Sequence, residues 1–330
     1  MDISKCGARF KVAIIDIGSN TIRLCVYEIS ADGDIRQTFR LKNVAGLAAY
    51  IDKKHLLAPD GIREICTSLI RFREALEGMD VSETHIFATA PLRNIVNTEQ
   101  VLKNVKWRTG YDVTVISGEE EAICDYIGAT NRTPMSDGLL VDIGGGSTEL
   151  VLFRNGKLEQ VASVAIGSLS MFSKYVARVL PSRLQTERIR AEAAGKLENL
   201  KSRPVRMICG VGGTMRALYK LNNAVFGEPA DNRTVSAENT KKLLNLIAAD
   251  THMMVGKILS ISPERIHTVT PGFIILNAII KKYECRTIFV SELGVREGYL
   301  IRNVLHRGIG EAGKPLALAA RNGSGSGYVR

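Results

Sequence analysis

A pattern written twice governs this chain. Residues 139–152 read Leu-Leu-Val-Asp-Ile-Gly-Gly-Gly-Ser-Thr-Glu-Leu-Val-Leu. An apolar run ends in Asp142, then come Gly144, Gly145 and Gly146, and Ser147, Thr148 and Glu149 open a second apolar run. Residues 12–28 read Val-Ala-Ile-Ile-Asp-Ile-Gly-Ser-Asn-Thr-Ile-Arg-Leu-Cys-Val-Tyr-Glu. Setting Asp16 on Asp142 gives an offset of 126 with no gap: Gly18 falls on Gly144, Thr21 on Ser147 and Arg23 on Glu149. Each copy predicts strand, tight turn, strand, with Asp16, Gly18, Ser19, Asn20 and Thr21 forming the first turn. Successive turn N–H groups make a concavity that binds anions, and glycine allows close approach of a ligand or another backbone. Asp142 and Glu149 set carboxylates on either side of one concavity. Mg²⁺ takes one or two carboxylates together with phosphate and water. If the copies face each other, a phosphate chain between them meets Arg23 from one turn and Glu149 from the other. Duplication of the unit predicts two copies of one half-domain.

Composition narrows the ligand. The net charge of +10 attracts anions. Yet the basic residues are scattered, aromatics make up only 6%, and no zinc spacing or RNA-recognition signature occurs, so nucleic acid is not expected. A length of 330 residues with 45% hydrophobic content suits two domains of ordinary size. The six cysteines form no Cys-x-x-Cys motif and sit mostly in apolar contexts, which predicts free thiols in a reduced, cytoplasmic protein. Residues 1–11 hold no apolar stretch suited to a signal peptide, and no run approaches the ~18 apolar residues of a membrane span; a membrane partner is not expected.

Along the chain, strands are predicted at residues 10–15, 22–29, 35–44, 84–88, 112–116, 158–165, 205–209 and 287–290. Pro59 opens a helix carrying Ile62, Ile65, Leu69, Phe72 and Leu76 at helical spacing. Further helices are predicted at 94–108, 169–179, 183–200, 237–249, 251–259, 271–282 and 294–305. Another begins near Ser117-Gly118 with Glu119, Glu120 and Glu121. Three acidic residues suit the positive end of a helix; one of them facing a cleft is the functional alternative, and periodicity alone does not choose. A third glycine turn, Gly210-Val-Gly-Gly213, ends a strand, with Gly212, Gly213 and Thr214 at the head of a helix, where anions bind. The polar segment 131–137 is taken as the link between halves. This gives an N-terminal domain at 1–133, a C-terminal domain at 134–308 and a disordered tail at 309–330. None of the five histidines lies beside a turn, and neither a nucleophile elbow nor a Walker loop is present.

The paired turns resemble those of the actin, heat-shock ATPase and sugar-kinase superfamily, which implies an α/β chain of two duplicated actin-like (ribonuclease H-like) domains facing across a cleft. Five segments resemble the exopolyphosphatase and guanosine pentaphosphate phosphohydrolase (Ppx/GppA) family more specifically. They are Asp16-Ile-Gly-Ser-Asn-Thr-Ile-Arg23, Ala88-Thr-Ala-Pro-Leu-Arg93, Ile116-Ser-Gly-Glu-Glu-Glu-Ala122, Val141-Asp-Ile-Gly-Gly-Gly-Ser-Thr-Glu149 and Gly210-Val-Gly-Gly-Thr-Met-Arg-Ala217. A sixth, Val290-Ser-Glu-Leu-Gly-Val-Arg-Glu-Gly298, matches with changes. The resemblance implies Glu121 as general base with Arg93 in the catalytic set, Asp142 and Glu149 as Mg²⁺ ligands, and Arg23, Arg93 and Arg296 as phosphate binders. It implies hydrolysis of a terminal phosphoanhydride on inorganic polyphosphate or on guanosine pentaphosphate. The net charge, with Arg216 and Arg296 in the second half beside Arg23 and Arg93 in the first, favours polyphosphate. A superfamily kinase and a non-catalytic phosphate sensor are the other classes, and a homodimer is kept open. Three departures stand out: Ser291-Glu292 where the family has Ser-Asp, Thr270-Pro-Gly-Phe273 where an Arg-Ala-Asp is common, and Ile123 where an arginine is usual. They are expected to alter the outer ring of the cleft. A chain of this length is expected to lack the family's C-terminal helical domains.

Overall fold

A computed structural model describes residues 9–31, 33–133 and 135–306; the tail expected at 309–330 lies outside them. The first sheet is built from β1 (Phe10–Ile17), β2 (Ile22–Ile29), β3 (Ile35–Asn43), β4 (Glu83–Ala88) and β5 (Thr114–Val115), in the order β3-β2-β1-β4-β5. The second holds β6 (Asp137–Ile143), β7 (Thr148–Arg154), β8 (Lys157–Val164), β9 (Met207–Val211), β10 (Thr234–Ser236) and β11 (Thr287–Val290), in the order β10-β11-β9-β6-β7-β8. Apart from the short β10, these are one topology used twice. In each sheet an antiparallel three-strand meander is followed by two parallel strands.

The repeat holds to the residue. Asp16 pairs with Arg23 and Ile17 with Ile22; 126 positions on, Asp142 pairs with Glu149 and Ile143 with Thr148. The register of β2 on β3 shifts between Val26 and Tyr27, and that of β7 on β8 between Leu152 and Phe153, again 126 apart. Bulges raise local twist and are designed features of a fold. Their coincidence supports two copies of one actin-like unit.

Apolar residues of β1 alternate between faces, as a period of two requires. Ala13, Ile15 and Ile17 pack with Ile65, Leu69 and Phe72 of α1 (Pro59–Leu76) and with Val101 and Val105 of α3 (Thr98–Thr109). The short α2 (Ala90–Arg93) precedes α3. The helix expected from residue 94 starts only at Thr98, because Asn97 is diverted: its side chain accepts from Leu57 N and donates to Leu57 O. Val12 and Ile14 face the other way, toward Cys124 and Ile127 of α4 (Gly118–Arg132) and the closing segment α11 (Val295–Tyr299). That closing segment, expected as one helix, passes after Tyr299 into a wide turn at Leu300–Val304.

Helix α4 therefore sits between the sheets. Its Cys124 and Ile127 belong to the first sheet's outer cluster, while Ala122, Tyr126 and Ala129 pack on Leu140, Val151 and Phe153 of the second. A helix apolar on two faces leaves little surface free, and residues 121 and 125, one turn apart, share what remains. Five helices support the second sheet: α6 (Arg183–Leu197), α7 (Gly212–Phe226), α8 (Ala237–Ala249), α9 (Thr251–Ile261) and α10 (Val269–Lys282). The short α5 (Ser168–Tyr175) packs beside them, Met171 within the same core. Among the described residues, the five cysteines are free and buried, and no helix is long and apolar enough to cross a membrane.

Helices α4 and α11 cross through glycine. A Cβ on Gly298 would stand 1.7 Å from Cys124 O, and one on Gly128 would stand 2.1 Å from Gly294 O. Both neighbours are backbone, so the crossing must open if either glycine gains a methyl. Gly298→Ala should destabilise the protein by about 1–3 kcal/mol, the usual overpacking cost. Gly195→Ala, on an exposed stretch of α6 with nothing within 4 Å of the added methyl, should instead stabilise it by about 0.5–1 kcal/mol. Urea unfolding of the two variants checks the contrast, and a Gly298→Ala midpoint equal to wild type would contradict the crossing.

Candidate active site

The two hairpin tips meet across the cleft. Gly18 N donates to Thr21 O at 3.2 Å, and Gly144 N donates to Ser147 O at 2.9 Å, the same turn in both copies. A Cβ on Gly145 would lie 3.0 Å from Ser19 Cβ; one on Gly146 would lie 2.9 Å from Ser19 Oγ and 3.1 Å from Ala90 Cβ. The triple glycine thus lets one tip press against the other. The head of α5 holds the tip from behind: Ser168 N donates to Gly144 O, and the N–H groups of Leu169 and Ser170 both reach Gly145 O. The third turn abuts the second. Gly212 has φ +79° and lies under the Asp142 carboxylate, whose Oδ1 would be 2.1 Å from a Cβ there. Thr214 Oγ1 donates to Ile143 O at 2.7 Å, pinning the third turn to the end of β6.

Five carboxylates gather around these turns. Asp16 is paired with Arg296 at 3.3 Å and Arg23 at 3.8 Å. Glu121 Oε2 accepts from Arg93 Nη1 at 2.8 Å. Glu149 Oε1 accepts from Ser163 Oγ at 2.8 Å and from Arg93 Nη2 at 3.5 Å. Among the described residues, the other two, Asp125 and Asp142, accept no hydrogen bond and join no ion pair. Burial is the main force on the protons of Glu121 and Glu149. It holds the Glu121 carboxyl well above the usual range, with Glu149 adding to the rise and Arg93 opposing it. Burial and then Asp142 push Glu149 up to about 7.

The arginines show the opposite imbalance. Arg23 and Arg296 lean on Asp16, while Arg216 and Arg265 join no ion pair among the described residues. Burial, then repulsion from Arg23, Arg296 and Arg265, lowers Arg216 to about 9. Burial and then Arg23 lower Arg265 to about 10. Both guanidiniums remain charged at neutral pH. Arg265 lies directly over Gly213, where a Cβ would collide with its Nη2.

Most residues expected from the sequence line one cavity of ≈ 100 Å³: Asp16, Gly18, Ser19, Asn20, Thr21, Arg23, Glu121, Asp142, the glycines 144–146, Ser147, Gly212, Gly213 and Arg296. Three stand behind the lining. Thr214 turns to Ile143, Glu149 is 1% exposed against Ser163, and Arg93 bridges Glu121 and Glu149. The glutamate run resolves by packing. Glu120 closes a capping box, accepting from Ser117 N at 2.7 Å while its own N–H reaches Ser117 Oγ. Glu119 is exposed, and Glu121, 8% exposed, points into the cleft.

Sequence reasoning missed Asp125, Arg265, Thr89, Ser168 and Thr268, all on the wall. Asp125 had a signal, a carboxylate in the apolar stretch 122–127 one turn past Glu121. Arg265 had none, lying in a 3-10 turn (Pro263–Arg265) between helices. The expectation that Glu292 and residues 270–273 alter the cleft's ring is corrected. Glu292 is exposed and ion-paired with Arg233, and Thr270, Pro271, Gly272 and Phe273 are buried in α10. None of them lines the cavity; a cation reaches it from Arg265, five residues before Thr270.

The Ppx/GppA phosphatase family matches residues 25–307. A curated Haemophilus influenzae protein with a provisional exopolyphosphatase name is 26% identical over 295 residues, covering 88% of this chain and 90% of the relative. The crystal structure of the Aquifex aeolicus Ppx/GppA family member, 26% identical, superposes with a TM-score of 0.75 over 91% of this chain and 99% of the other. An exopolyphosphatase from Cytophaga hutchinsonii, 20% identical, shares the fold at a TM-score of 0.79 over 91% of this chain and 99% of that one. With the match spanning nearly all described residues, the chain belongs to the Ppx/GppA phosphatase family.

Proposed function

We propose that the chain is an exopolyphosphatase, hydrolysing the terminal phosphoanhydride of inorganic polyphosphate and releasing orthophosphate. The observation that carries this reading is the imbalance of the cleft: among the described residues Arg216 and Arg265 join no ion pair, and neither do Asp125 and Asp142. A phosphate chain with a divalent cation supplies both. The names of the relatives agree with this chemistry.

The residues divide the work by position. Turn N–H groups around Gly18 and Gly144–Gly146 donate to phosphate oxygens, and Arg23, Arg216, Arg265 and Arg296 neutralise the chain. Phosphoryl transfer depends mostly on such positioning and charge. Glu121 is the group to take a proton from water, since it is a buried carboxylate on the cleft wall with its proton affinity raised. Arg93 orients it and tempers that rise. Mg²⁺ fits the carboxylate side, where Asp142 lacks a partner and Glu149 stands opposite on the hairpin; when bound it would neutralise developing charge on phosphate oxygens.

Glu121→Gln should lower kcat by about 10²–10⁴, the worth of a general base, with little change in KM. A larger kcat loss in Glu120→Gln would assign the base to the wrong glutamate. The pH profile gives a second check. Glu121 works only when ionised, and burial raises its pKa, so kcat/KM should fall with decreasing pH through a limb above the ordinary carboxylate value of about 4.3. Arg93 lowers that pKa, so Arg93→Gln should move the limb to higher pH. A limb that stays in place would detach Arg93 from the base.

Substrate choice is read from salt. A polyanion lying across several cations releases counterions, so its affinity falls with salt by roughly one power for each neutralised phosphate, by analogy with nucleic acids. Comparing kcat/KM for long polyphosphate and guanosine pentaphosphate at two salt concentrations should show polyphosphate preferred, with the steeper slope. A preference for guanosine pentaphosphate at both salts, with equal slopes, would make the chain a guanosine pentaphosphate phosphohydrolase instead.

A further inference from the structure

Asp125 is the least explained charge in the molecule. It is 1% exposed, it lines the cleft, and neither of its carboxylate oxygens has a hydrogen-bond partner. A buried carboxylate without a partner is strongly unfavourable, and nothing in α4 requires one. The flanking Cys124 and Tyr126 belong to the two apolar clusters that the helix joins, so a neutral residue would serve packing equally well. The surroundings add no cation. The charges that bear most on Asp125 are Asp142, Glu121, Glu149 and Asp16, in that order, all negative. On its other side stands Gly294, where a Cβ would lie 3.0 Å from Asp125 Oδ1. Arg93, Arg23 and Arg296 are committed to other carboxylates.

We propose that Asp125 is a ligand of the cleft's divalent cation, which is held between Asp125 on α4 and Asp142 on the second hairpin. The inference rests on the Mg²⁺ reading of Asp142 and extends it to a residue outside the glycine turns. Glu149 is held by Ser163 and Arg93, so Asp125 and Asp142 are the two carboxylates left to meet the ion directly, with phosphate oxygens and water in the remaining positions. The placement has a structural consequence. Asp125 comes from the helix between the sheets and Asp142 from the end of β6, so one ion would tie the helix to the hairpin. Cation binding would then stiffen the cleft before any substrate arrives.

The test uses the full chain and Mn²⁺ as the probe, alone and with inorganic phosphate. Free Mn²⁺ is followed by electron paramagnetic resonance, and thermal melting is recorded with and without the ion. Asp125→Asn keeps the volume and Asp125→Ala removes the side chain. Both should melt no lower than wild type when metal-free, because a buried carboxyl group without a hydrogen-bond partner is gone. Both should also weaken Mn²⁺ binding about tenfold or more, as ligand charge sets affinity at such sites, and lose most of the ion-induced rise in melting temperature. Wild-type Mn²⁺ affinity in both Asp125 variants, with binding lost in Asp142→Asn, would overturn the inference and leave the Asp142 site standing. No Mn²⁺ binding by the wild type, with or without phosphate, would overturn both.

Discussion

The cleft depends on two hairpin tips touching, with only the small Ser19 side chain of the first between them. Gly145 and Gly146 lie against Ser19, and any added Cβ would fall at 3.0 Å or less from it. This contact sets the distance between the sheets at the point where their turn N–H groups converge. It also explains why the second turn spends three consecutive glycines where the first spends one. The first tip can carry Ser19 and Asn20 because the second gives way. Behind the second tip, α5 supplies three N–H groups to Gly144 and Gly145 carbonyls, so a flexible sequence is held in one conformation. Glycine removes the steric barrier here, and hydrogen bonds from outside the hairpin restore the rigidity that glycine costs.

Much of this was legible because the repeat is gapless. An offset of 126 placed both turns, and with them the register of β1 on β2 and of β6 on β7. Even the two bulges obey it, although no local composition marks them. Long amphipathic helices such as α1 and α8 announced themselves by spacing and caps. What failed to show depends on tertiary packing. Three consecutive glutamates look alike in sequence, and they separate only because Ser117 takes Glu120 for its capping box while α4 lies between two sheets. The late start of α3 is decided by Asn97 bonding to Leu57, a residue 40 positions earlier. Strand β10, three residues long, is set by its neighbour β11 rather than by its own pattern.

The candidate site followed the same division. Residues inside the glycine turns were found because the turns are a local code for anion binding. Arg265 was not found, since a turn between helices carries no periodicity and its role comes from lying over Gly213. The expected influence of Glu292 failed for a related reason. Its carboxylate meets Arg233 at the surface, and the cleft is indifferent to it. Proximity in sequence to a recognised segment is a poor guide once the chain leaves the regular element that carries the segment.

The two copies have diverged in charge while keeping their backbone. At equivalent positions the first hairpin pairs Asp16 with Arg23, and the second pairs Asp142 with Glu149. The first is an acid beside a base, so Asp16 is neutralised within its own hairpin and by Arg296. The second is an acid beside an acid. Burial then raises the proton affinity of both members, with Asp142 adding to the rise at Glu149 while Arg216, Arg23 and Arg265 oppose it at Asp142. Arg93 answers part of this by reaching Glu149 from α2, yet it also binds Glu121 and cannot satisfy both carboxylates and Asp142 as well. One half of the duplication thus became electrically closed and the other open. The open half also carries Arg216 and Arg265, which join no ion pair among the described residues. Acids and arginines without ion-pair partners therefore lie side by side in one cleft, and the proposed ligand, a phosphate chain with a divalent cation, would complete both.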